Sequence, residues 1–159
     1  MRSPALLAAL LLLAACQPNG GKGSDPGKPG AAPVQTAAVF CRPTPNGRRS
    51  TGCYLTLTAG ADDRLTAVTS PLAGRIQIHE SRMDGGMMVM RELKQGLPLP
   101  AGQAVALAPG GNHLMVLGLT RPLAVGDAVP LHLSFANAAG IDVTAAVAQP
   151  PASESHESH

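Results

Sequence analysis

Short segments of alternating apolar and polar residues are the feature that most constrains how this chain can fold. Alternation is clear in "CYLTLTA", "RIQIHE", "AVALAP" and "VPLHLSF" and weaker in "IDVTAAVA", and Gly, Pro, Asp or Asn bounds each segment. A period of two is typical of half-buried strands, whereas no window of 11 or more residues keeps a helical apolar stripe. The pattern predicts an all-β fold, with about eight short strands in a β-sandwich or Greek-key barrel.

Length and composition limit the organisation and the partners. A chain of 159 residues has room for one domain of ordinary size, and 45% hydrophobic residues can supply its core. Aromatic residues make up only 2% and the formal net charge is +2, so the chain offers neither base-stacking platforms nor a basic footprint. We therefore expect no nucleic-acid partner.

The N-terminal segment has the features of an export signal. Arg2 precedes an apolar run, Ala5 to Ala15, which is too short to span a bilayer, and "LAAC" supplies small residues for cleavage. The segment "LAAC", residues 13–16, resembles the lipobox of bacterial lipoproteins. This resemblance implies that Cys16 is lipidated and becomes the first mature residue. The alternative is a plain secretory signal with an incidental cysteine. Both place the domain outside the cytoplasm, where disulfides are permitted.

Composition divides the chain into four parts. Residues 1–15 are the predicted lipoprotein signal peptide, and residues 16–33, rich in Gly, Pro, Lys and Ser, are a predicted flexible tether. Residues 34–149 form the predicted β-domain. Residues 150–159, "PPASESHESH", are a predicted disordered tail.

The two remaining cysteines, Cys41 and Cys53, are separated by "RPTPNGRRSTG", a segment rich in turn formers. Such a connection lets neighbouring strands bring two sulfurs together, so we predict a disulfide. A pair of free thiols is the alternative. A metal or redox thiol site usually has the C-x-x-C spacing, which is absent here.

The methionines are unevenly distributed, and two histidines lie close to them. Methionine often fills a core, so packing is one reading of the cluster. Strand parity favours another reading, because His113 and Met115 share a face opposed to Leu114. Met88 and Met90 also share a face. Apart from the initiator, the methionines are Met83, Met87, Met88, Met90 and Met115.

Turn signals bring these residues to one end of the predicted sandwich. "DGG" favours a reversal between the strands of His79 and Met90, and "PGGN" directly precedes His113. Thioether sulfur is soft and neutral and imidazole is borderline and neutral, so a set of two His and two Met selects Cu(I) over hard cations. Zinc would recruit thiolate, carboxylate or a third imidazole. The sequence therefore predicts a Cu(I) site at His79, Met90, His113 and Met115.

The same residues carry a family resemblance. Ten residues separate His79 from Met90 and twenty-two separate Met90 from the His-x-Met at His113 and Met115. This pattern resembles that of the periplasmic copper chaperones of the PCu(A)C family, and the similarity extends from about residue 38 to 147. One departure is Ser81, where relatives often carry a second Met.

The resemblance implies a cupredoxin-like barrel that binds Cu(I) at an exposed His2Met2 site. It also implies delivery to the CuA centre of cytochrome c oxidase subunit II, often alongside a Sco-like thioredoxin-fold protein. The expected location is the periplasmic side of a bacterial membrane, held there by the lipid anchor. The resemblance implies no enzymatic activity.

The remaining histidines have other predicted roles, and the sequence leaves other functions open. His132 has the parity of a surface residue. His156 and His159 belong either to a solubilising tail or to a weak Cu(II) collector that feeds the main site. Ser81 and Asp84 lie too near His79 in sequence for a hydrolase triad. The alternatives are a β-sandwich lipoprotein that binds proteins and no metal, a copper-storage protein, or an electron carrier, which would need a cysteine ligand.

Overall fold

The computed structural model describes residues 32–45 and 47–149. This part of the chain contains ten β-strands and no helix, so the all-β prediction is confirmed. Within it, no segment is a helix with the length and hydropathy needed to cross a bilayer. The strands are β1 (Val34–Cys41), β2 (Ser50–Ala59), β3 (Asp63–Thr69), β4 (Ala73–Asp84), β5 (Met87–Glu92), β6 (Leu97–Leu99), β7 (Ala104–Leu107), β8 (His113–Leu119), β9 (Ala128–Phe135) and β10 (Ile141–Val147).

The strands form one hydrogen-bonded sheet that folds back on itself. Their order is β5-β4-β8-β2-β1-β10-β9-β3-β6, and β7 pairs with β2 beyond the end of β8. β3 and β4 lie near opposite ends of this order, yet only residues 70–72 join them and the two strands contact each other. The sheet therefore closes around one core, as predicted for a sandwich or barrel.

The core follows the alternation of the sequence. In β9, Val129, Leu131 and Leu133 are buried, while His132 is exposed and its Nδ1 lies 2.7 Å from the Asp142 carboxylate. The surface position predicted for His132 is confirmed. Burying one Val or Leu side chain contributes roughly 1.5–3 kcal/mol, so each of these three residues is a substantial part of the stability. Other fully buried side chains are those of Leu55, Leu57, Leu65, Leu99, Leu114, Leu119, Val116 and Val147.

Two strands carry no clear pattern, which explains why ten are present where about eight were predicted. β1 has a register shift between Ala37 and Phe40, and Ala38 has a positive φ of 51°. This bulge breaks the period of two, so that Val34 and Cys41 are both buried although they are an odd number of residues apart. β6 has only three residues, too few to show a period.

A tight hairpin joins β4 to β5 at the edge of the sheet. Asp84 pairs with Met87, and the two residues between them, Gly85 and Gly86, have φ of 56° and 82°. Positive φ at both central positions is the geometry of a type I′ turn, which glycine adopts without strain. The reversal predicted at "DGG" is confirmed, and it returns β5 along β4 as the edge strand of the sheet.

Candidate metal centre

Strand register places the four predicted ligands on one face of three adjoining strands. β4 lies between β5 and β8, and His79 of β4 stands opposite His113 of β8. Two residues further along β8, Met115 stands opposite Gln77. On the other side of β4, Met90 stands opposite Ser81, two residues from His79. Opposed residues share a face and so do residues two apart, so all four side chains lie on the same side of the sheet.

The two imidazoles are neighbours. Their ring centroids lie 5.6 Å apart, and the ring planes are nearly perpendicular, at 76°. His113 is only 6% exposed, and its Nδ1 lies 3.1 Å from the Gly111 carbonyl oxygen. A carbonyl can only accept a hydrogen bond, so Nδ1 carries the proton and Nε2 keeps its lone pair. This tautomer is the one that a metal needs when it binds at Nε2.

His79 has an unsatisfied nitrogen. Its Nδ1 is buried and has no hydrogen-bond partner among the residues that the structure describes. Burial and the neighbouring His113 lower the pKa of His79 below its ordinary value. The carboxylate of Glu92, at the opposed position of β5, partly offsets this by raising the pKa. A neutral imidazole with an unpaired ring nitrogen is costly unless something binds it. A soft cation held beside His113 would satisfy this atom, so the residues present fit a copper ion.

The two thioethers differ in exposure. Met115 is half-buried, whereas Met90 is 55% exposed. Both line an open cleft of about 650 Å³ together with His113, while His79 lies beside His113 on the next strand. A ligand set that is buried on one side and open on the other can admit a partner's ligands from solvent. The geometry therefore suits exchange of a bound ion better than permanent retention.

Tyr54 and Gly52 belong to the site and were missed from the sequence. The Tyr54 ring lies 6.5 Å from that of His113 and 5.1 Å from that of Phe40, and the side chain is 7% exposed. Its hydroxyl extends over Gly52, where a Cβ would lie 2.8 Å from the oxygen. Gly52 is in turn opposite Met115. The phenol ring therefore forms a wall beside His113, and glycine leaves the room it needs.

The cysteines lie behind this wall, outside the ligand group. Cys41 and Cys53 are directly opposed on β1 and β2, fully buried, and joined by a disulfide. Cys53 precedes Tyr54 and therefore points to the opposite face of β2, into the core. Its sulfur is not available to a metal on the Tyr54 face.

A zinc site receives no support from the described residues. Those residues include no group of three or more His, Cys, Asp and Glu side chains that could hold a metal ion. A zinc site would need such a group.

Some predictions fall outside the residues that the structure describes. They concern Cys16, the signal segment, the tether up to residue 31 and the tail histidines His156 and His159.

Known proteins are similar to this chain in sequence and in fold. A relative from Leifsonia xyli subsp. xyli, Lxx21020, which carries a lipoprotein name, is 30% identical over 138 residues, covering 86% of this chain and 82% of the relative. The apo PCuAC domain of PmoF1 has the same fold, with a TM-score of 0.62 at 23% identity over 76% of this chain and 97% of that domain.

Two solution structures of DR1885 from Deinococcus radiodurans are also similar. The apo form matches with a TM-score of 0.58 at 26% identity, over 92% of this chain and 98% of that one. The Cu(I) form matches with a TM-score of 0.53 at 28% identity, over 76% of this chain and 79% of that one. The fold predicted from the resemblance, that of PCuAC domains, is confirmed.

A family model covers nearly the whole β-domain. It matches residues 34–147, from the first residue of β1 to the last of β10. The chain belongs to the LpqE-like lipoprotein family.

Proposed function

We propose that this protein is an exported copper chaperone that carries one Cu(I) between His79, Met90, His113 and Met115. The observation that carries the proposal is the register of β5, β4 and β8, which gathers two neutral imidazoles and two thioethers on one face. The unsatisfied Nδ1 of His79 supports it, and so does the similarity to DR1885, which has been determined with Cu(I). Soft thioethers and borderline imidazoles favour Cu(I) over hard cations.

Transfer follows from the exposure of the ligands. Met90 is more than half exposed, so an acceptor ligand can replace its thioether first while the buried His113 still holds the ion. The copper stays Cu(I) throughout, and each new bond forms as an old one breaks. We further propose, from the family resemblance, that the acceptor is the CuA domain of cytochrome c oxidase subunit II, assisted by a Sco-like protein, on the periplasmic side of the membrane.

An anaerobic Cu(I) titration against a chromophoric chelator tests the binding step. We expect one tightly bound equivalent, lost in the double variant His113→Ala/Met115→Ala. The matched control is His132→Ala, which removes an exposed histidine paired with Asp142 on β9, a strand separated from β8 by β2, β1 and β10 in the sheet order. Unchanged competition in the double variant would refute the site.

Delivery requires its own measurement. Cu(I)-loaded protein is mixed anaerobically with a purified apo CuA domain, the two are separated, and copper is measured in each. We expect copper to leave the protein for the CuA domain faster than it reaches an equal concentration of the apo His113→Ala/Met115→Ala variant. Equal rates would exclude this acceptor without affecting the binding step.

The electron-carrier alternative is disfavoured by the cysteines. A blue-copper site needs a cysteine thiolate, and both cysteines in the described residues are joined in a buried disulfide. An intense visible band on adding Cu(II) would revive that alternative.

A further inference from the structure

Four methionines are exposed on a single hairpin. The exposed fractions are 64% for Met83, 70% for Met87, 59% for Met88 and 55% for Met90. Methionine is normally a buried side chain, and contiguous exposed apolar groups usually mark a functional surface. In the described part of the chain, the other exposed large apolar side chains are Val89, at 38%, and Val125, at 62%.

The hairpin extends beyond the end of β8. His79 is the last residue of β4 that pairs with a residue of β8, and Ser81 N–H still donates to the Gly111 carbonyl oxygen at 3.3 Å, just before β8 begins. Beyond Ser81, β4 pairs with β5. β5 is the edge strand of the sheet. We call residues 80–91 the thioether arm. Because no strand covers either of its sides, its methionine sulfurs are open to solvent.

The two faces of the thioether arm differ in chemistry. Met83 opposes Met88, next to the Ser81 and Met90 pair, so these side chains share the face of the candidate metal centre. The opposite face carries the charges, in ion pairs between Arg91 and Glu80 at 2.9 Å and between Arg82 and Asp84 at 3.7 Å, together with Met87. Within residues 80–91 the ion pairs thus lie on one face, while the sulfurs of Met83, Met88 and Met90 lie on the other.

Spacing along the arm allows three sulfurs to meet. Opposed residues in an antiparallel pair have Cβ atoms about 4.5–5.5 Å apart, and the next pair along the same face lies roughly 7 Å away. Methionine has three rotatable side-chain bonds, so Met83, Met88 and Met90 can direct their thioethers to one point. Three neutral soft donors form a donor set for Cu(I).

We propose that Met83, Met88 and Met90 form a second, weaker Cu(I) site at which copper enters or leaves the protein. The inference rests on the proposed function, because Met90 would belong to both sites and pass the ion between them. In each step one copper–thioether bond forms as another donor is released. The metal remains Cu(I), and neither an electron nor a proton is transferred.

Methionine methyl NMR during an anaerobic Cu(I) titration tests this site. In the wild-type protein we expect the first equivalent to shift the methyl resonances of Met90 and Met115. A second, weaker equivalent should shift those of Met83 and Met88 and move that of Met90 again, because Met90 turns to the ion on the arm while His79, His113 and Met115 keep the first ion. The double variant Met83→Leu/Met88→Leu should lose the second equivalent and keep the first. Met87→Leu is the matched control, because it removes an equally exposed thioether from the opposite face of the same hairpin.

The outcomes separate the two proposals. A wild-type protein that binds one equivalent only, or a Met83→Leu/Met88→Leu variant that still binds two, overturns the second site. If the second equivalent is lost as readily in Met87→Leu, the sidedness of the arm is irrelevant and the inference is wrong. If His113→Ala/Met115→Ala leaves the first equivalent unchanged, the proposed function fails while the arm site stands.

Discussion

Replacing His79 by leucine should stabilise the copper-free protein while removing its response to copper. The buried Nδ1 has no partner among the described residues, and a buried unsatisfied polar group costs about 1–3 kcal/mol. Leucine has a similar volume and no polar atom, so His79→Leu relieves this cost without leaving a cavity. Because His79 is half-buried, the lower end of the range applies, and we expect a gain of about 1 kcal/mol.

The assay is thermal unfolding under anaerobic conditions, with and without Cu(I). For a domain of this size, about 1 kcal/mol corresponds to a rise of roughly 3–5 °C in the Tm of the apo protein. At a free Cu(I) concentration of 100 times Kd, binding adds about 2.7 kcal/mol to the wild-type protein, whereas His79→Leu should gain far less. In the control His132→Leu, the copper-induced rise should remain.

Two results would refute this reasoning. A Tm for apo His79→Leu below that of the wild type would show that the imidazole is satisfied in solution and contributes to packing. A full copper-induced rise in the variant would show that His79 is not a ligand. The first result concerns the energetics of the apo site, and the second concerns the identity of the metal centre.

Three further predictions follow from the same geometry. The pKa of His79 is lower in the folded protein than in the unfolded chain, where it is about 6.5. As the pH falls below about 6.5, the imidazole is therefore protonated in the unfolded chain before it is protonated in the folded protein. The stability of the apo protein should fall over the pH range between these two pKa values. Chemical denaturation at several pH values checks this, and His79→Leu should flatten the slope. In Gly52→Ala the new Cβ meets the Tyr54 hydroxyl at 2.8 Å, so we expect a loss of about 1–3 kcal/mol and weaker Cu(I) binding, measured by denaturation and chelator competition. An unchanged affinity would show that the Tyr54 wall is dispensable. The double change Cys41→Ala/Cys53→Ala opens a short closed loop and should cost about 2–4 kcal/mol in denaturation experiments, while the tightly bound equivalent of Cu(I) remains because neither sulfur faces the site. A loss of that equivalent in a variant that is still folded would contradict this placement.

Local patterns in the sequence were sufficient to predict which side chains of the candidate site share a face. Alternation fixed which side chains of "HLM" share a face, and "DGG" fixed the hairpin that brings the Met90 strand back along the His79 strand. Both signals act over a few residues, so they can be read without knowledge of the tertiary fold. The ligand types then pointed to a soft metal.

Long-range pairing could not be read in the same way. Tyr54 lies beside His113 because β2 pairs with β8, and nothing in "CYLTLTA" indicates which strand is its neighbour. Parity places Tyr54 on the face away from Cys53 and Leu55. All three are nevertheless buried, because the rings of Phe40 and His113 lie beside Tyr54 on its face. β1 could not be predicted from the sequence, because the bulge at Ala38 interrupts the alternation of apolar and polar residues that indicates a strand.

X-ray absorption spectroscopy of the protein loaded with one equivalent of Cu(I) identifies the copper ligands. We expect a first coordination shell of two imidazole nitrogens and two thioether sulfurs, from His79, His113, Met90 and Met115. In His113→Ala/Met115→Ala this mixed shell should disappear. A shell of sulfur alone, or of nitrogen and oxygen alone, at one equivalent in the wild-type protein would contradict the account.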